Sequence, residues 1–195
     1  QASAKKSNME KSHTLNCGDI NLTAALMSVG VPLSEVDPCS LVLRDNGKNY
    51  ARFHICPVSI DGAYNTERLM DFWRTPSNCN DASFATVMAF VKAGRDNSVT
   101  RSSDWLDYAH TYIEEMGGVA RALPASISDI TDFIAKDTET INAHIFAFVY
   151  NRDYCWQVVQ KARRRIMITR GNAHAAIDTN LAKWRRNELL ARLEG

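Results

Sequence analysis

Hydrophobic positions after residue 80 recur at the three- and four-residue spacings of amphipathic helices. The first such run follows Asp81, whose side chain is of the kind that caps a helix N-terminus. Gly94 lies where the apolar pattern stops, so we expect this helix to end there. The expected inward positions are Phe84, Val87, Met88 and Val91.

Three further helices are predicted before the basic end of the chain. Residues 105–116 have helical periodicity and are followed by two glycines, which favour a helix stop. Ser126 and Asp129 match the S-x-x-D capping box and predict a helix behind them. A longer helix is expected to begin near Thr138, and Asn151 is the position at which it could break.

A β-hairpin is predicted in the N-terminal third. Two β-prone runs flank Asn46 and Gly47, and both residues tolerate the positive φ of a type I′ turn. Pairing across a two-residue loop would place Leu43 opposite Tyr50.

One short helix is predicted on each side of this hairpin. The first runs over residues 20–29, with Asp19 as its cap and Gly30 as its stop. The second follows Thr66, which we expect to be its N-cap, and Pro76 ends it.

These elements predict a mostly α (α+β) protein, a helical bundle with one β-hairpin in a small N-terminal unit. The expected divisions are a flexible N-terminus over residues 1–12, the small α+β unit over residues 13–76, and the helical bundle with its basic C-terminal region over residues 81–195.

The N-terminal unit also resembles a known kind of domain. The run from Asp19 to Leu26, continued by Gly30 and Pro32 and followed by the hairpin and the helix that bears Trp73, resembles small uncharacterised domains of bacterial and phage-related proteins. The resemblance covers residues 13–76, contains no catalytic motif and implies no activity. It implies a phage or mobile-element setting.

The charge of the chain is strongly polarised although its formal net value is only +1. Residues 161–195 contain nine Lys or Arg and three acids, a net of +6, and the other 160 residues contain 14 and 19, a net of −5. With 45% hydrophobic residues the chain is expected to fold. Its basic end is expected to meet an anion, or else the acidic remainder of the same fold.

Cysteine usage and hydropathy indicate a protein of the cytoplasm that does not enter membranes. The five cysteines are widely spaced and never form C-x-x-C, which favours free thiols in a reducing compartment. No apolar run has the length of a membrane span, and residues 1–8 lack the apolar core of a signal peptide. A signal peptide removed before Gln1 stays an open alternative.

No motif indicates catalysis or a cofactor. The sequence lacks G-x-S-x-G, H-E-x-x-H and the glycine patterns of nucleotide-binding loops, so we expect no catalytic residues, no cofactor and a non-enzymatic role. A metal-dependent hydrolase or nuclease that uses paired acids such as Asp104 and Asp107 stays an open alternative. A zinc site built from His13, Cys17, His54 and Cys56 is formally possible, but its spacings are not those of known motifs. We therefore expect no metal site.

The basic C-terminal region is the candidate functional site. Clustered cations attract phosphate backbones through counterion release, and arginine binds phosphate in bidentate fashion. The region predicts binding of DNA or RNA, and its later part, residues 173–193, reads as an amphipathic helix. The predicted nucleic-acid-binding residues are Lys161, Arg163, Arg164, Arg165, Arg170, Lys183, Arg185 and Arg186.

Two alternatives to nucleic-acid binding by the basic region remain. In the first, the cations serve inside the fold, in salt bridges to the acidic body. In the second, the acidic body itself contacts a basic protein partner as an interaction or inhibitor module. The four tryptophans occur among apolar neighbours, and packing is the expected role of each. The oligomeric state is not determined by these patterns.

Overall fold

The computed structural model describes residues 14–60, 64–118, 122–136, 142–166 and 191. Across these ranges the fold is mostly helical, with a small antiparallel sheet in the N-terminal part, as the sequence predicts. The expected flexible terminus, residues 1–12, lies outside them. None of the helices in the described part combines the length and apolar character needed to cross a membrane.

The sheet has three strands in the order β1-β3-β2, and each neighbouring pair is antiparallel. Strands β2 (Cys39–Leu43) and β3 (Asn49–Ile55) form the predicted hairpin, whereas β1 (Leu15–Cys17) was not predicted. Another short antiparallel pair, β4 (Ser59–Ile60) and β5 (Tyr64–Asn65), has two residues in each strand and precedes the second helix.

The predicted hairpin register is wrong by one residue. Leu43 pairs with Asn49, and Val42 rather than Leu43 lies opposite Tyr50. The Gly47 amide donates to the Arg44 carbonyl at 2.9 Å, and Gly47 alone in this loop has a positive φ, of 76°. These features define a three-residue loop, a type I turn followed by a left-handed glycine, instead of the two-residue type I′ turn.

Two of the helices begin at the predicted polar caps. The Asp19 carboxylate accepts from the amides of Asn21 and Leu22, and the Asp81 carboxylate accepts from the Phe84 amide. The helices are α1 (Ile20–Ser28), α2 (Thr66–Arg74), α3 (Ala82–Asp96), α4 (Ser102–Glu115), α5 (Ile130–Lys136) and α6 (142–166).

The expected cap of α2 is wrong by one residue. Asn65 is the N-cap, and its side chain accepts from the Glu67 amide at 2.9 Å. Thr66 is instead buried in the first turn, where its hydroxyl accepts from the Val58 amide at 2.9 Å. The threonine therefore joins α2 to the strand region before it.

The expected end of α3 at Gly94 is also wrong, because the helix continues to Asp96. Gly94 is buried inside the helix, and a Cβ at this position would overlap the Trp105 ring of α4. The glycine is required by the close approach of α4, not by a change of backbone direction.

The core extends from the sheet to α6. Phe90 of α3, Trp105 of α4 and Phe148 of α6 form a buried aromatic triangle with ring-centre distances of 5.5, 5.8 and 5.2 Å. On the sheet side, Cys155 of α6 contacts Met27 of α1, with the two sulfurs 3.6 Å apart. One cluster of buried side chains thus includes residues from both predicted units.

Candidate nucleic-acid interface

The candidate interface lies on α6, which is continuous through Asn151 as far as residue 166. One side of this helix is buried, through Cys155, Val159 and the residues of the aromatic core before them. Because buried positions recur at helical spacing, the opposite side faces solvent from Tyr150 to Arg164.

Arg152 fixes α6 against its neighbours. Its Nε donates to Asn21 Oδ1 at 2.9 Å and its Nη2 donates to the Thr100 carbonyl at 2.7 Å. Its guanidinium carbon also lies 5.7 Å from the centre of the Trp105 ring. Burial lowers the pKa of this guanidinium. These contacts join α6 to α1 and to the connection between α3 and α4.

The last described turns of α6 carry four of the predicted cations, Lys161, Arg163, Arg164 and Arg165, and all four are exposed. Within the described residues, Lys161, Arg163 and Arg164 form no ion pair with a carboxylate. Salt bridges to the described part of the body therefore do not account for the charge of these three residues.

Trp156 holds one of these cations in place. The guanidinium carbon of Arg163 lies 5.5 Å from the centre of the Trp156 ring, a cation–π arrangement. Trp156 is 43% exposed, so the expected packing role does not describe it fully.

Two exposed aromatic residues on α6 were missed by the sequence-based reasoning. Tyr150 and Tyr154 are 37% and 43% exposed and lie one helical turn apart. Their four-residue spacing, beside the apolar positions of the same helix, was the signal available in the sequence. Its use required knowing that α6 continues unbroken through Asn151.

A groove of about 370 Å³ separates the cations from the connection that precedes β2. Tyr154, Lys161 and Arg164 contribute to the α6 wall, and Glu35 and Asp37 contribute to the opposite wall. The two walls of this groove therefore carry opposite charges, with cations along α6 and carboxylates across from them.

The four remaining predicted site residues, Arg170, Lys183, Arg185 and Arg186, lie outside the described residues, as do residues 173–190 of the expected amphipathic helix. The described contribution to the candidate interface is therefore the C-terminal part of α6.

The zinc alternative gains no support from the geometry of His54. Its Nδ1 donates to the Asp37 carbonyl at 2.7 Å, and its Nε2 lies 3.1 Å from the Ser40 hydroxyl. Both ring nitrogens are thus engaged, and His13 lies outside the described ranges. Over the part of the chain that is described, no group of three or more His, Cys, Asp or Glu side chains could hold a metal ion.

Comparison with known proteins gives no relative for this chain: no family model, no curated protein and no solved structure matches it. The resemblance of residues 13–76 to phage-related domains thus stays a prediction. The functional proposal rests on α6 and its surroundings.

Proposed function

We propose that this chain is a non-enzymatic nucleic-acid-binding protein that contacts phosphates through the C-terminal turns of α6. The observation that carries this proposal is the exposed set of Lys161, Arg163 and Arg164, none paired with a carboxylate of the described residues. Cations without a carboxylate partner are free to contact the phosphates of a nucleic acid, and this contact is favourable because it releases the counterions condensed around those phosphates.

The geometry of Arg163 supports the same role. When an arginine guanidinium stacks on an aromatic ring, its N–H donors are held in one orientation. Less side-chain conformational entropy is then lost when the arginine binds a phosphate. Arg152 and the buried side of α6 anchor the helix that presents these cations. The cations are thus displayed on a rigid element.

The proposed setting is the cytoplasm of a bacterial cell, in a phage or mobile-element context. The phage-related setting comes from the resemblance of residues 13–76. All five cysteines carry free thiols, which fits a reducing compartment.

The test is binding of fluorescein-labelled oligonucleotides, both single-stranded and duplex, measured by fluorescence anisotropy. We expect Lys161→Gln/Arg163→Gln/Arg164→Gln to weaken binding by about tenfold or more at moderate salt, since three phosphate contacts are lost. Glutamine removes the charge and retains good helix propensity.

The matched control is Lys48→Gln/Arg74→Gln/Lys92→Gln, which removes the same number of exposed charges away from α6. It should bind nearly as tightly as the unmodified protein. If both triple variants lost the same affinity, the effect would depend on net charge alone and the proposal would be overturned.

A second candidate function, contact with a basic protein partner, has one observation in its favour. The outward side of α4 exposes Asp104, Asp107, Glu114 and Glu115, and no described cation forms an ion pair with any of them. A basic protein that is retained after nuclease treatment, and lost when these four residues become Asn or Gln, would support this function. If the unmodified protein and the four-residue variant both retained the basic protein, this second function would be contradicted.

A further inference from the structure

Aromatic and basic side chains form one exposed stripe along α6. Tyr150, Tyr154, Lys161 and Arg164 follow one another at spacings of four, seven and three residues, which place them on the same side of a helix. At 1.5 Å per residue the stripe is roughly 20 Å long. It has an aromatic half and a cationic half.

The aromatic half borders its own groove. A space of about 430 Å³ lies between the N-terminal end of α5 and α6, with Ile127 and Thr131 on one side and Tyr150 and Tyr154 on the other. Tyr150 and Tyr154 are each more than a third exposed, and both line this groove. The tyrosine rings are therefore accessible to a planar group that enters it.

The two grooves beside α6 share part of their lining. Tyr154 and Gln157 line both the groove next to α5 and the groove that contains Lys161 and Arg164. A ligand can therefore follow α6 from the tyrosines to the cations without leaving the helix surface.

The charges along this path favour a single phosphate backbone. Asp153 lines the aromatic groove, where it accepts a hydrogen bond of 2.7 Å from Gln157 Nε2, and its charge disfavours phosphate there. Glu35 and Asp37 line the far wall of the other groove and would repel a second backbone. Only the cationic half of α6 suits a phosphate chain.

We propose that the ligand is a single-stranded nucleic acid whose bases stack on Tyr150 and Tyr154 while its phosphates contact Lys161 and Arg164. This inference rests on the nucleic-acid binding proposed above and specifies its substrate class. Unpaired bases expose the faces that stack on aromatic side chains, and such stacking tolerates any base. Bases inside a duplex are stacked on one another and cannot enter the groove.

The test compares labelled oligothymidine, labelled oligouridine and a labelled duplex of the same length by fluorescence anisotropy. We expect at least one of the single strands to bind about tenfold more tightly than the duplex. Tyr150→Leu/Tyr154→Leu should remove this advantage and leave duplex binding unchanged. Leucine is a good helix former, and circular dichroism checks that the variant remains folded.

The control is Tyr150→Phe/Tyr154→Phe, which keeps both rings and should retain the preference for single strands. Unchanged single-strand binding by the leucine variant, or a duplex bound as tightly as both single strands, would overturn this inference. Either outcome would leave the proposed nucleic-acid binding intact, provided that the glutamine triple variant at Lys161, Arg163 and Arg164 still lost affinity. Unchanged affinity of that triple variant for every probe would instead overturn the proposed function itself.

Discussion

The guanidinium carbon of Arg163 lies 5.5 Å from the centre of the Trp156 ring, on residues two helical turns apart along α6. Trp156 is 43% exposed and so contributes less to the core than Trp105, which is fully buried. This cation–π contact lies at the candidate interface. Its main effect is to hold the Arg163 guanidinium in one orientation.

Replacement of Trp156 by Leu should weaken nucleic-acid binding about two- to fivefold, because an exposed cation–π contact contributes about 0.5–1 kcal/mol. Trp156→Phe keeps an aromatic ring and should stay close to the unmodified protein. A double-mutant cycle with Arg163→Gln, read by anisotropy, separates the two roles. Since Trp156 acts through Arg163, its replacement should have little further effect in the Arg163→Gln background. Fully additive losses would show that the ring does not act through this arginine.

Gly94→Ala should destabilise the protein by about 1–3 kcal/mol, although alanine is the better helix former. The reason is steric, because the added Cβ would overlap the buried Trp105 ring. Urea unfolding followed by circular dichroism gives the free energy of unfolding. The matched control is Ala89→Gly on the exposed side of α3, which should cost about 1 kcal/mol through helix propensity alone. A Gly94→Ala variant more stable than the unmodified protein would exclude the close contact.

Stability should fall as the pH rises above about 9, and Cys155 should account for part of the fall. Burial raises the pKa of its thiol from 9.0 to about 12. In the unfolded chain the thiol ionises near its ordinary pKa, whereas in the folded chain it stays protonated until the pH approaches 12. The unfolded state therefore loses its proton first, and alkali favours unfolding.

At pH 10 the contribution of Cys155 should be smaller than at pH 8 by about 1 kcal/mol. The measurement is the free energy of unfolding at both pH values for the unmodified protein and for Cys155→Ala. Burial also raises the pKa values of Cys17 and Cys39, so the variant should keep a shallower dependence on pH. Equal pH dependence in the two proteins would contradict the burial of the Cys155 thiol.

Features fixed by local chemistry were predicted from the sequence. Asp81 caps α3, and Ser126 forms the expected capping box with Asp129, because a cap depends on residues within one turn. The position of the hairpin also followed from its own residues. Its register did not, since the φ of Asn46 decides between two loops that both suit Asn-Gly.

Features that depend on distant neighbours could not be predicted. β1 has three residues and exists through its pairing with β3, so no local periodicity marks it. Gly94 reads locally as a helix stop, but its role is set by Trp105 of the next helix. At the interface, the exposed cations were predicted from composition. The exposure of Tyr150 and Tyr154 follows from the side of α6 that packs on the core, which requires the tertiary structure.

The salt dependence of oligonucleotide binding tests the central claim most directly. The logarithm of the association constant falls linearly with the logarithm of salt concentration, with a slope of about −0.7 to −0.9 for each phosphate contact. Lys161→Gln/Arg163→Gln/Arg164→Gln should therefore have a slope shallower by about 2 to 3, whereas the slope of Lys48→Gln/Arg74→Gln/Lys92→Gln should not change. A slope unchanged by the α6 substitutions would contradict phosphate binding at this end of the helix.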